Sequence, residues 1–494
     1  MALKFSLPLS VLLITLLINI CSSTILLGEQ ESLFQNLQNQ QQHRLRARTD
    51  CQIDRLTAQE PTLRYESEAG RTEFWDRNNQ QFECAGVAAV RNFIEPRGLL
   101  LPHYNNAPQL LYVVQGRGIQ GTVIPGCAET YESGSEQQSE QRSERGRRYN
   151  DRHQKVRQFR QGDVLALQAG LTHWIYNNGD ERLVTVAILD TGNEINQLDQ
   201  QFRNFFLAGS PRGEAQQSRQ GQKGRGEGEE QRNNIFHPFE DELLADIFNV
   251  NPETARKLRG REDNRGQIVR AERFNIVLPG EAEEERGQYY PENGIEETIC
   301  NQKQRLNLDK PSISDIYNPR GGRITTLNSQ KLPILRSLRL SAEKGVLYRN
   351  AILAPHWNVN AHSVIYVTRG SGRFQVVGHA GKSVFDGDVR EGQLIIVPQN
   401  YVVLKRANDE EEGLEWISFK TNDNAITSQL AGRLSALRGV PEEVLINSFS
   451  ISREEAKNLK YGRDESRIFS PSSRARSPRT KPFEVAMDVI KNMM

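Results

Sequence analysis

Leu110-Leu111-Tyr112-Val113-Val114-Gln115-Gly116-Arg117-Gly118 recurs in the second half of the chain as Val364-Ile365-Tyr366-Val367-Thr368-Arg369-Gly370-Ser371-Gly372. Each copy is a short apolar run, rich in β-branched and aromatic residues, that stops at a Gly-x-Gly turn. Upstream, Pro102-His103-Tyr104-Asn105 answers to Pro355-His356-Trp357-Asn358, with an offset of 253 residues at the histidine and 254 at the glycine. Downstream, Gln161-Gly162-Asp163-Val164-Leu165-Ala166-Leu167 answers to Glu391-Gly392-Gln393-Leu394-Ile395-Ile396-Val397. Charged residues are rare in these runs, so both faces of each strand are expected to be buried. The chain is therefore read as mainly β, two copies of a small barrel or jelly roll.

The repeat continues with helical spacing. Leu243, Leu244, Phe248, Val250, Ala255 and Leu258 align with Val444, Leu445, Phe449, Ile451, Ala456 and Leu459. Start signals accompany both copies: Asn251-Pro252-Glu253 in the first, and Ser452 with Glu455 as a capping box in the second. Each barrel is thus followed by a helical arm whose apolar stripe calls for a partner subunit. Between these elements lie insertions too polar to pack, at 131–155, 210–234 and 280–292, expected to be mobile. The tail Ser470 to Pro482 reads the same way.

At the N-terminus, Lys4, the apolar run Leu7 to Ile20 and small residues at Cys21 and Ser23 have the layout of a secretory signal peptide, 1–23. No later run is long and apolar enough for a membrane span. Loss of the leader removes Cys21 and leaves Cys51, Cys84, Cys127 and Cys300, an even number suited to disulfides in an oxidising compartment. Four cysteines allow three pairings, and all three join Cys300 to a partner upstream of Asn293. That matters because Asn293-Gly294-Ile295-Glu296-Glu297-Thr298-Ile299-Cys300 offers an Asn-Gly bond in a polar, acidic context, which is either a turn or a cleavage site. A cut there leaves two chains joined by sulfur.

Charge divides at the same bond. Residues 294–494 hold 29 Lys+Arg against 22 Asp+Glu, and residues 24–293 hold 33 against 40. The whole chain is close to neutral, which argues against a nucleic-acid or membrane-surface partner. Asn and Gln make up about one residue in seven and Arg outnumbers Lys 48 to 15, a composition rich in side-chain nitrogen.

Gly98, His103, Asn105, Gln109 and Gly116, followed by Gly162, Gly170, His173 and Asn177, sit at the spacing of the two cupin motifs, and the chain resembles a double cupin. In metal-dependent cupins the four ligand positions hold three His and one Glu. Here they read His103, Asn105, Gln109 and His173, so the carboxylate and one imidazole are replaced by amides and no metal or other cofactor is expected. The two histidines are expected to be satisfied polar groups at the barrel mouth. In the second copy the positions fall on His356, Asn358, Ser363 (or the displaced His362) and Val403, which implies a packed barrel without chemistry. No P-loop, dinucleotide fingerprint, HExxH or Gly-x-Ser-x-Gly is present, and no catalytic residue is assigned.

With the leader, the degenerate ligand positions, the amide- and Arg-rich composition and the octapeptide at Asn293, the chain resembles the 11S, legumin-type globulin seed storage proteins. The resemblance implies a nutrient reservoir made as a proprotein in the endoplasmic reticulum and delivered to the protein storage vacuole. It implies cleavage after Asn293 by an asparaginyl endopeptidase, giving an acidic chain, 24–293, and a basic chain, 294–494, each with one barrel and arm. It implies pairing of Cys51 with Cys84 and of Cys127 with Cys300. Assembly is implied to run from trimer to hexamer, and members are frequent seed allergens. Two rival classes are a metal-dependent germin-like oxidase and a sugar- or small-molecule-binding cupin.

Overall fold

The computed structural model describes residues 51, 53–76, 78–129, 131–132, 152–209, 215–217, 234–274, 276 and 299–471. The expected leader, Asn293, Gly294 and most of the three insertions lie outside the described residues.

The strand Gln109–Gln115 shows why the repeated motif is apolar on consecutive residues rather than alternate ones. Leu111 and Val113 point into the first barrel, where they meet Leu100, Phe159, Leu165 and Ile175. Leu110 and Tyr112 point the other way, into a second core that also contains Val364, Tyr366, Ile396 and Phe419 of the second barrel. The corresponding strand, Ser363–Val377, does the same in reverse, turning Ile365 and Val367 inward against Trp416 and Ile395. Two sheets pack face to face, so Leu110 to Val113 and Val364 to Val367 are buried on both faces. Trp75 and Tyr366 meet edge-on across this joint with ring centroids 6.1 Å apart, and Arg91 Nη1 donates to Tyr366 Oη at 3.1 Å.

In the first barrel the sheet at the joint runs Leu63–Ser67, Gly70–Phe74, Val87–Ile94, Leu183–Asp190, Gln109–Gln115 and Asp163–Leu167 in spatial order, all neighbours antiparallel. The opposite sheet runs Asn204–Phe206, Gly98–Asn105, Thr172–Tyr176, Arg117–Val123 and Val156–Arg160. The glycine of each Gly-x-Gly turn is required by backbone conformation: Gly116 has φ +87° and Gly370 φ +70°. A Cβ at Gly370 would lie 2.1 Å from the Gly413 carbonyl oxygen.

The arms form where the start signals put them. Pro252–Leu258 begins at Asn251, whose side chain accepts from Thr254 N, and Arg453–Tyr461 begins with a reciprocal Ser452–Glu455 capping box. Each is preceded by a helix of 8 residues, Asp241–Phe248 and Glu442–Phe449. Leu243, Ile247 and Phe248 of the first arm, with Val444, Phe449 and Leu459 of the second, remain exposed. Parts of the expected loops carry strands. Tyr131–Glu132 pairs with Arg152–His153, and Ala215–Gln217 adds an edge strand to Leu63–Ser67. Ser470, at the start of the expected tail, is buried and donates to Asn318 Oδ1.

Two segments leave their own barrel for the other. Arg305–Asn307, which follows Cys300, pairs with Asp163–Leu167 and extends the first barrel's sheet, while Leu308 enters the shared core. In exchange, Ile53 and Leu56 pack inside the second barrel. Leu56 N donates to Val384 O and Gln59 N to Leu394 O, both at 2.8 Å.

Candidate functional site

The strand Gly98–Asn105 carries His103 and Asn105, Gln109 opens the next strand, and His173 lies directly opposite His103 on Thr172–Tyr176. The four cupin positions therefore converge inside the first barrel. They line a cavity of about 30 Å³ shared with Asn204 and Phe206, room for about one water molecule. His103 and His173 are only 6% and 2% exposed, so they are interior groups and not, as expected, at the barrel mouth.

Both imidazoles are held as neutral donors. His103 Nδ1 donates to Leu101 O at 2.8 Å and His173 Nδ1 to Leu171 O at 3.2 Å, which leaves each Nε2 as the acceptor. Gln109 Nε2 donates to His173 Nε2 at 3.0 Å. The rings lie 4.2 Å apart, and His103 stacks on Phe206 at 5.0 Å. Burial pushes His103 down to about 4. Burial and the neighbouring His103 hold His173 well below the usual imidazole range. Asn177 braces a turn: its amide donates to Ile94 O and Glu181 O while its carbonyl accepts from Gly179 N.

This set does not fit a divalent metal. Gln109 occupies the lone pair that His173 would give to an ion, and no carboxylate is among the four to offset a dication's charge. Another group of potential ligands, Cys51, Cys84 and His362, lies elsewhere, but its two sulfurs are joined as a disulfide. The second disulfide links Cys127 and Cys300, 173 residues apart.

In the second barrel His356 faces Val403 across the strands, so the fourth ligand position is aliphatic. The interior is nevertheless not wholly apolar. Glu343, Lys405 and Lys420 are buried there, a feature the ligand-position reading did not anticipate. The alternation of Ser341–Leu347 carries the signal only in retrospect, since Glu343 and Lys344 are adjacent, opposite in facing and both buried.

The cupin family model matches residues 56–212 and 306–457, one copy per barrel. The 11S globulin subunit beta of Cucurbita maxima is 49% identical over 474 residues, 93% of this chain and 96% of its own. The crystal structure of the coconut allergen cocosin superposes with a TM-score of 0.74 at 49% identity, covering 85% of this chain and all of that one. The chain belongs to the 11S globulin seed storage proteins. The structure of recombinant pro-11S globulin of pumpkin matches equally, with a TM-score of 0.74, 49% identity and the same coverage. As an 11S globulin the chain is a double cupin whose work is nutrient storage.

Proposed function

We infer that this 11S globulin is deposited as a precursor and matured by one cut after Asn293, made by an asparaginyl endopeptidase in the protein storage vacuole after passage through the endoplasmic reticulum. The observation that carries the reading is the way the chain is tied on either side of that position. Cys127 and Cys300 bridge it covalently, and the segment Arg305–Leu308 is woven into the first barrel. A protein cut there loses one backbone bond and keeps its sheet, its shared core and its covalent link. Such an arrangement suits a reserve that must survive processing and later be digested.

Assembly follows from the arms. Leu243, Ile247, Phe248, Val444, Phe449 and Leu459 are exposed apolar side chains on helices, and burying them between copies of the chain gives the trimer, with hexamer formation after the cut. Hetero-oligomers with other 11S subunits use the same faces. The function is non-enzymatic: the four cupin positions supply no metal-activated water and no paired acid and base.

The test is to treat purified precursor and an Asn293→Ala variant with asparaginyl endopeptidase and follow both by sedimentation velocity. The wild type is expected to shift from trimer to hexamer while the variant stays a trimer. Hexamers of the uncut variant, or no shift of the cut wild type, would defeat the reading.

A further inference from the structure

Four charged side chains turn into one polar end of the second barrel. Glu343, Lys405 and Lys420 come from the strands Ser341–Leu347, Val402–Ala407 and Leu414–Lys420, and are 3%, 1% and 4% exposed. The registers Glu343 opposite Ser418 and Ser363 opposite Lys420 put them on the face that also bears Trp416, inside the barrel. Arg467 closes this end. Its carbonyl accepts from Ala354 N at 2.8 Å, and its Nη1 donates to Glu343 Oε2 at 3.3 Å. His356 lies in the same field and is held neutral by burial, with Arg467 and Lys405 adding to the effect. Three cations thus face a single carboxylate in a low-dielectric interior, where uncompensated charge is strongly disfavoured.

The donors are also in excess. Lys420 Nζ is committed to Asn358 Oδ1 at 3.0 Å and Ser363 Oγ at 2.8 Å. Lys405 Nζ stands 4.3 Å from the centre of the Trp416 ring and 5.6 Å from that of Phe374. Arg467 Nε and Nη2, Asn358 Nδ2 and Trp416 Nε1 are buried donors with no hydrogen-bond partner among the described residues, against one such acceptor in the cluster, Glu343 Oε1. The Nε and Nη2 of a guanidinium form its side edge, a planar pair of N–H groups that matches the two oxygens of a carboxylate. Trp416, Phe374, Ile365 and Val367 fill the rest of the interior, so a guest must be small.

The geometry points to a binding site for a small aliphatic carboxylate inside the second barrel, gripped at two points by Arg467 and neutralised by Lys405, with Asn358 and Trp416 as further donors. Lys420 and Glu343 set the field around it. Without an anion the cluster sheds protons: burial pushes Lys405 well below its ordinary range and Lys420 down to about 8. Burial opposes the charge on Glu343, yet Arg467, Lys420 and Lys405 together hold it well below the carboxylate range. Binding therefore brings protons back, and its heat depends on the buffer's ionisation enthalpy near pH 8.

Full-length protein in chloride is titrated with acetate labelled with carbon-13 on its methyl group. The expected result is a bound resonance with an Overhauser contact to the Trp416 indole, and a saturable rise in melting temperature that equal chloride does not give. Arg467→Lys, which keeps the charge and loses the side edge, is expected to weaken acetate at least tenfold, and Lys405→Met likewise. If neither variant folds, the Overhauser contact in the wild type decides alone. No bound resonance, a bound acetate without the indole contact, or unchanged affinity in folded Arg467→Lys would overturn the proposal.

Discussion

Lowering the pH from 7 to 5 sets three buried imidazoles against the fold. His103 titrates at about 4 in the barrel, against 6.5 for a free imidazole, because burial disfavours its charged form. His173 and His356 are likewise held well below that value, mainly by burial. A lowered folded value means that the unfolded chain binds more protons below pH 6.5, so stability falls as the pH drops from there towards 4. At pH 5 a His103 that stays neutral in the fold removes about 2 kcal/mol relative to pH 7, and His173 and His356 shift stability in the same direction. Glu343 does not offset this: its lowered value gives stability that is present above the ordinary carboxyl range and is lost only at more acidic pH. His103→Gln keeps an amide donor for Leu101 O and removes one titrating group. Urea unfolding of both proteins at pH 7, 6 and 5, followed by tryptophan fluorescence, is the assay. The loss between pH 7 and 5 is expected to be about 2 kcal/mol smaller in the variant, whatever the variant's stability at pH 7. Parallel pH profiles would refute the assignment of the cost to a buried neutral His103.

Three further outcomes follow from the packing. A Cβ at residue 345 would lie 2.0 Å from Trp416 Cζ2, so Gly345→Ala is expected to lower stability by roughly 1–3 kcal/mol, read as an earlier urea midpoint. Ser452→Ala removes the capping box of Arg453–Tyr461 and is expected to cost about 1 kcal/mol, seen as faster amide exchange confined to that arm. Cut protein carrying Cys127→Ser is expected to keep its two chains together on native size exclusion, since Arg305–Asn307 stays in the first sheet and Leu308 in the shared core, and to release them in denaturant. Separation under native conditions would contradict that packing.

Most of the fold is legible in the sequence because its signals are local. The repeated apolar runs, the left-handed glycines at 116 and 370 and the caps at Asn251 and Ser452 each act within a few residues, and all lie where the spacing puts them. The convergence of His103, Gln109 and His173 is long-range, and it was legible only through the resemblance of their spacing to the two cupin motifs. What escaped was set at long range. Nothing in Arg305-Leu306-Asn307 says that it pairs with Asp163–Leu167 rather than with its own barrel. Likewise, Glu343, Lys405, Lys420 and Arg467 read as ordinary surface charges until the strands bring them together. The burial of His103 depends on Phe206, which lies 103 residues further along the chain although its strand pairs directly with that of His103.

The most direct test of the account is the chain composition of the protein taken from mature seed, run on denaturing gels with and without reductant, with the N-terminus of each band identified. One band is expected without reductant, splitting on reduction into an acidic chain and a smaller basic chain starting at Gly294, held until then by the Cys127–Cys300 bond. A single uncut chain under both conditions, or two chains that part without reductant, would contradict it.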